Sequence, residues 1–147
     1  TRFCAPYAKR GLIAEIGTSW LLSRLIGTSH ALDVLLSARV IDGEEAVEMR
    51  LANRVFEADV LFEKTFEYCA AMAAETSPWS LRTIKQQVYH DLMTTLQPAF
   101  DRSEAFLAES LKGADFVEGI AAFRDKRAVE FPPLPPHLAK LDPWPGE

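Results

Sequence analysis

From Trp20 to Phe123 apolar residues recur every three or four positions, a period that commits most of the chain to amphipathic helices. Thr18 and Ser19 are suited to cap a helix carrying Trp20, Leu21, Leu22, Leu25 and Ile26, which Gly27 would end. Thr28 or Ser29 opens the next, reaching Ser37 with Leu32, Leu35 and Leu36 inward. Asp42 followed by Glu45 has capping-box spacing and predicts a short helix to about Met49. Phe62, Phe66, Cys69 and Ala73 share one face of a helix over 59–75, which makes Cys69 a small core residue. Ser77-Pro78 is a cap with proline at the first helical position, leading into Leu81, Ile84, Val88 and Leu92. Leu96, Phe100, Leu107 and Leu111 mark a helix that Gly113 stops. Asp115 and Glu118 then form a second capping-box pattern before Phe116, Ile120 and Phe123.

The two ends read differently. Pro6, Gly11 and Gly17 break residues 1–17 into a strand end at Arg2–Cys4 and a loop, and Leu51–Phe56 alternates weakly enough for one short strand. After Phe131, Pro132, Pro133, Pro135, Pro136, Pro143 and Pro145 forbid a helix and favour extended chain, either disordered or laid across a surface. Three segments follow: 1–27 with a strand end, a loop and the first helix, 28–131 helical, and 132–147 a proline-rich tail. Such helices suit a free-standing bundle or a half-domain that packs on other structure, and periodicity does not separate the two.

At 147 residues, with 48% hydrophobic and 25% charged, the chain can build a core of its own. It has no apolar run of membrane-spanning length and opens without the long apolar stretch of a secretory signal, so a cytoplasmic protein is expected. Cys4 and Cys69 fit neither a metal spacing nor a disulfide framework. A net charge of −5 with dispersed Lys and Arg argues against a nucleic-acid partner.

No nucleophile motif, glycine-rich phosphate loop or metal-ligand cluster is present. His30, His90 and His137 lie far apart and read as surface or capping residues, and Glu44-Glu45 reads as the acidic first turn of a helix. Glu15 differs. It lies in Gly11-Leu12-Ile13-Ala14-Glu15-Ile16-Gly17, among apolar residues and just before a helix. Apolar neighbours strip water from a carboxylate and favour its neutral form, the property a proton shuttle near neutral pH needs. A loop glutamate pointing into solvent is the plain alternative.

The stretch from Arg10 through Gly27 resembles the segment of the crotonase superfamily, the enoyl-CoA hydratase/isomerase group, that carries a catalytic position and the following helix. Ala31 through Ile41 is similar to the family's helix and S-G-R-x-I turn. Glu44-Glu45-Ala46 through Val55 resembles E-E-A-x-x-x-G-L-V-N-R-V, and Asp115 through Arg127 resembles D-x-x-E-G-x-x-A-F-x-E-K-R. The likeness runs over about residues 2 to 131, and its strength lies in the order of the motifs. It implies a mainly α chain: the helical C-terminal half of a crotonase-like α/β fold of ββα superhelical units, with at most one or two short strands.

The resemblance further implies an acyl-CoA thioester substrate without a resident cofactor, and a homo-oligomer, trimeric or hexameric, with a dimer also compatible. Membrane partners are not expected. In the family two backbone N–H groups polarise the thioester carbonyl. Those donors and one hydratase glutamate come from the preceding half, so this chain is expected to be a fragment or to need that half in trans, and to be inactive alone. Hydratases carry Glu after the Pro that precedes the motif Gly; here Tyr7 follows Pro6, and a phenol with an ordinary pKa of about 10 is a poor base. Some isomerases place one Glu four residues beyond that Gly, and Glu15 stands there relative to Gly11. The resemblance therefore marks Glu15 as the catalytic position of a double-bond isomerase. It marks Lys126 for a CoA phosphate, and Phe123 and Phe106 for the acyl or pantetheine path, against ordinary roles as a solvated lysine and core aromatics. Ala38 and Arg50 replace glycines usual in the family, with strain expected if the backbone there takes positive φ. The competing hypothesis is a non-catalytic helical module, derived from such a C-terminus, that self-associates through its apolar faces.

Overall fold

Wherever the apolar period is unbroken, the backbone is helical. The computed structural model describes residues 1–138, with seven α-helices among them. They are α1 (Thr18–Leu25), α2 (Gly27–Ser37), α3 (Gly43–Glu48), α4 (Leu61–Glu75), α5 (Pro78–Asp91), α6 (Leu96–Ser110) and α7 (Ala114–Asp125). Short 3-10 turns occupy Ala8–Arg10 and Pro136–Leu138. The chain divides into two compact units, Thr1–Lys64 and the part from Thr65 onward. A mainly helical chain with minimal extended structure agrees with the expectation from sequence.

In the first unit α1 packs on α2. Ile26, Ala31, Val34, Ile41 and Met49 form the core, flanked by Phe3, Ala5, Leu22 and Leu51. Burying the larger of these, Ile26, Val34, Ile41 and Met49, stabilises by roughly 1.5–3 kcal/mol each, and Ile41, 1% exposed, is the largest fully buried side chain among the described residues. Phe3 and Ile41 exchange both backbone hydrogen bonds, at 2.9 and 3.0 Å, as an isolated antiparallel bridge. This bridge is the extended structure expected near Arg2–Cys4. The short strand expected over Leu51–Phe56 does not form: Leu51, Ala52 and Asn53 bend, and no strand partner lies beside them among the described residues.

The cap at Asp42 forms, its Oδ1 accepting from Glu45 N at 2.9 Å. The reciprocal half of the box does not, because the Glu45 carboxylate is taken by Arg39 at 2.5 and 2.8 Å. Arg39 also donates to Asp33, at 2.6 and 3.0 Å, so one guanidinium joins α2 to α3. The start of α1 departs from expectation. Gly17, at φ 68, holds the N-cap position without a side-chain cap, and Thr18 turns its hydroxyl back to the Glu15 carbonyl. Ala38 and Arg50 do adopt left-handed backbone, φ 48 and 64, as do Ile16 at 53 and Lys126 at 53.

In the second unit α5 contacts α6. Ser77 caps α5 as its sequence suggests, accepting from Ser80 N at 3.0 Å. Its hydroxyl also donates to Asp115 in the first turn of α7. The second capping box is therefore not built: Asp115 serves Ser77, and Glu118 reaches forward to Arg127 and the amide of Glu130. Cys69 is exposed rather than buried. The whole stripe containing it faces outward in this chain, with Phe62 81% exposed and Phe66 also open.

The remaining apolar positions of α5 behave alike. Leu81, Ile84, Val88 and Leu92 are exposed, and the buried residue of that helix is Thr83. The described part of the tail has no regular structure from Ala128 to Pro135 before its 3-10 turn; residues 139–147 of the tail segment lie outside the described residues. His30 is exposed, as expected of a surface residue, and His90 is half-buried; the side chain of His137 lies outside the described structure.

Candidate functional site

The segment around Glu15 is shaped by its glycines. Gly11 closes the first 3-10 turn at φ 70, its N–H donating to Ala8 O at 3.2 Å, a conformation available to glycine at little steric cost. The chain then runs without regular structure to Ile16 and Gly17, two consecutive left-handed residues that redirect it into α1. Ile16 is β-branched and 92% exposed, so no packing among the described residues offsets its unfavourable φ.

Two tethers hold the segment against the first unit. The Lys9 ammonium donates to Ala38 O at 2.8 Å, placing a cation at the C-terminal end of α2, where helix carbonyls and the macrodipole favour it. Cys4 Sγ donates to the same carbonyl at 3.6 Å. On the other side, the Tyr7 hydroxyl lies 3.4 Å from Thr18 Oγ1. Neither tether has a signature in local periodicity, because Lys9 and Ala38 are 29 residues apart and Tyr7 and Thr18 lie on different elements.

Glu15 itself is exposed, as are Leu12, Ile13 and Ile16. The apolar enclosure expected from its neighbours is thus not supplied by the described residues. Those side chains flank the carboxylate in sequence but do not close over it. Glu15 remains the only acidic residue before Asp33.

The other candidate residues belong to the second unit. Phe106, on α6, is half-buried and lines a cavity of about 280 Å³ with Trp79, Thr83 and Ile84 of α5. Phe123 and Lys126 stand together at the C-terminal end of α7, where Lys126 N donates to Phe123 O at 3.4 Å. Phe123 is 85% exposed, so it is not a core residue of this chain, and Lys126 is exposed in the left-handed cap position.

A larger cavity of about 660 Å³ escaped the sequence-based expectations. The cap residue Ser77 and Trp79 of α5, Asp115 and Phe116 of α7, and Phe131 and Leu134 of the tail contribute to its walls. Its formation depends on the tail folding back beside α7, where Glu118 fixes Arg127 and Glu130, and no local pattern announces that. Among the described residues no group of three or more His, Cys, Asp or Glu could hold a metal ion, and no helix is long and apolar enough to cross a membrane.

Comparison with known proteins matches residues 1–133 to the enoyl-CoA hydratase/isomerase family. The chain is 32% identical over 130 residues to a probable enoyl-CoA hydratase of Mycobacterium leprae, covering 88% of this chain and 50% of that protein. It is 28% identical over 130 residues to a 1,2-epoxyphenylacetyl-CoA isomerase of Escherichia coli, covering 88% of this chain and 49% of the relative. Its structure superposes on a probable enoyl-CoA hydratase/isomerase from Mycobacterium abscessus with a TM-score of 0.86 and 25% identity, over 90% of this chain and 52% of the other. The chain thus spans about half the length of each of these proteins.

Proposed function

The chain belongs to the enoyl-CoA hydratase/isomerase family, and from that premise we propose that it contributes to double-bond isomerisation of an acyl-CoA thioester, with Glu15 as proton carrier. The observation that supports isomerisation over hydration is the solitary carboxylate. Hydration of an enoyl thioester asks for one group to activate water and for a proton delivered to the neighbouring carbon. Isomerisation asks for a single carboxylate that takes a proton from one carbon and returns it at another. Glu15 is the only carboxylate in the first 32 residues, and the position beside Pro6 is a tyrosine whose hydroxyl is engaged with Thr18.

In the proposed reaction the Glu15 carboxylate removes a proton from the carbon next to the thioester carbonyl of a 3-enoyl chain. The electron pair spreads into a dienolate, and the protonated Glu15 delivers the same proton two carbons further on, leaving the 2-enoyl product. Atoms and charge balance without a further reactant. Charge gathers on the thioester oxygen, so the reaction depends on preorganised donors to that oxygen. Because this chain spans about half of its relatives, the proposal assigns turnover to an assembly that supplies those donors along with Glu15. The same assembly supplies the apolar cover that the Glu15 segment lacks here. Lys126, exposed at the end of α7, is proposed to meet a CoA phosphate, with Phe123 and Phe106 as apolar contacts for the pantetheine or acyl chain.

The outward-facing Phe62, Leu96 and Phe123 favour a second reading, a non-catalytic module that covers these side chains by self-association. One set of measurements separates the two. In the complete protein carrying this chain, Glu15→Gln is expected to lower the isomerisation rate by orders of magnitude, and Lys126→Ala to weaken CoA binding. An unchanged rate removes Glu15 as proton carrier, and a folded protein with no saturable CoA binding supports the module.

A further inference from the structure

Tyr7 grips the Glu15 segment at both ends. Its backbone carbonyl accepts from Leu12 N at 3.0 Å and from Arg10 N at 2.9 Å, fixing where the segment leaves the 3-10 turn. Its side chain reaches the other end, 3.4 Å from Thr18 Oγ1. Thr18 has one hydroxyl hydrogen, and that hydrogen goes to the Glu15 carbonyl. The phenol must then be the donor in the Tyr7–Thr18 pair. A relay runs from Tyr7 O–H to Thr18 O–H to the Glu15 carbonyl, which also receives Thr18 N–H at 2.9 Å.

Between these anchors Leu12, Ile13, Glu15 and Ile16 are all exposed, so packing within the chain does not fix the segment. Ile16 nonetheless holds a left-handed φ of 53, a conformation that β-branched residues avoid. Hydrogen bonds to the Glu15 carbonyl oppose relaxation of that step, because rotation at Ile16 would swing the carbonyl away from Thr18. The backbone direction at Glu15 therefore depends on the Thr18 hydroxyl, and the Thr18 hydroxyl is oriented by Tyr7.

We propose that Tyr7 is a positioning residue for Glu15, acting through the Thr18 hydroxyl; the proposal rests on Glu15 being the proton carrier. A carboxylate that serves two carbons in turn tolerates little displacement, since about 1 Å of misplacement can cost on the order of 100-fold in rate. Tyr7 itself exchanges no proton with substrate.

The test compares Tyr7→Phe, Thr18→Val, their double variant, Thr18→Ser and Glu15→Gln in the complete protein that carries this chain. Tyr7→Phe is expected to lower kcat about tenfold with KM unchanged, the pattern of a lost transition-state placement. Thr18→Val should do the same, the double variant no more than either, and Thr18→Ser should recover most of the rate. The pH profile of Tyr7→Phe should keep the wild-type shape. Amide exchange of the chain itself gives a readout independent of turnover: the Thr18 N–H, bonded to the Glu15 carbonyl, should exchange at least about threefold faster in Tyr7→Phe, because loss of the relay loosens that bond.

Wild-type kcat in Tyr7→Phe, additive losses in the double variant, a pH profile of altered shape, or unaltered Thr18 exchange would each overturn the positioning role. Wild-type kcat in Glu15→Gln would instead remove the proton carrier, and this proposal with it.

Discussion

Arg127 holds Glu118 with both ends of its guanidinium, Nη1 on Oε1 at 2.6 Å and Nη2 on Oε2 at 2.7 Å, across the left-handed turn that ends α7. The Glu130 amide donates to the same carboxylate at 2.7 Å. A bidentate ion pair reinforced by a backbone N–H is among the stronger surface arrangements, and it ties the start of the tail back to the helix it has just left.

The Glu118 carboxyl is accordingly depressed to about 2 from its ordinary 4.5, first by the Arg127 hydrogen bonds and then by the Glu130 amide. A group whose folded pKa lies below its unfolded value stabilises the fold fully above the unfolded pKa and loses that contribution as pH falls through the folded one. Glu118→Gln should therefore lower the urea midpoint at pH 7. The gap from wild type should close between about pH 4.5 and pH 2. Denaturation curves at pH 7, 4 and 2.5 check this, and a gap that does not change with pH contradicts it.

Ala38 and Arg50 both hold left-handed backbone, yet glycine should serve them differently. Relief of the left-handed strain is worth about 1–2 kcal/mol, while the extra freedom of glycine in the unfolded chain takes back about 0.4–1 kcal/mol. At Arg50, which is exposed, the difference should appear as a gain of roughly 0.5 kcal/mol. At Ala38, which is 1% exposed, the lost methyl removes a further 0.8 kcal/mol or about that, so Ala38→Gly should be near neutral. Urea titration of the two variants side by side decides it: no gain in Arg50→Gly would count against the strain account, and equal gains in both would show that the buried Ala38 methyl contributes nothing.

Ser77 serves two helices, accepting from Ser80 N to start α5 and donating to Asp115 at the start of α7. Loss of an N-cap costs about 1 kcal/mol, and loss of a hydrogen bond to a charged acceptor about 1.5–3 kcal/mol. Ser77→Ala should thus destabilise by roughly 2.5–4 kcal/mol, more than Asp115→Ala, which leaves the Ser80 cap intact. Equal losses in the two variants would show that the cap contributes nothing.

The helices, the cap at Ser77 and the half-cap at Asp42 were legible because each depends on residues within one or two turns of one another. The resemblance in motif order, from Arg10–Gly27 to Asp115–Arg127, likewise needed no coordinates, and it marked Ala38 and Arg50 as positions where positive φ would strain a side chain. What failed was inference about burial. Cys69 and Phe123 lie on faultless helical stripes, but periodicity shows only that a face is apolar, and in this chain both residues are exposed. The same limit applied to Glu15, whose apolar neighbours are adjacent in sequence without enclosing it.

Local chemistry in the sequence, then, set the helices and singled out one carboxylate. Tertiary structure decided where the polar groups went: Asp115 to Ser77 across 38 residues, Lys9 to the Ala38 carbonyl, and Tyr7 to Thr18 beside Glu15. The reason is physical. A helix is closed by hydrogen bonds four residues apart and is written into the residues that make it, whereas a side chain finds a distant partner only after packing has brought the two elements together.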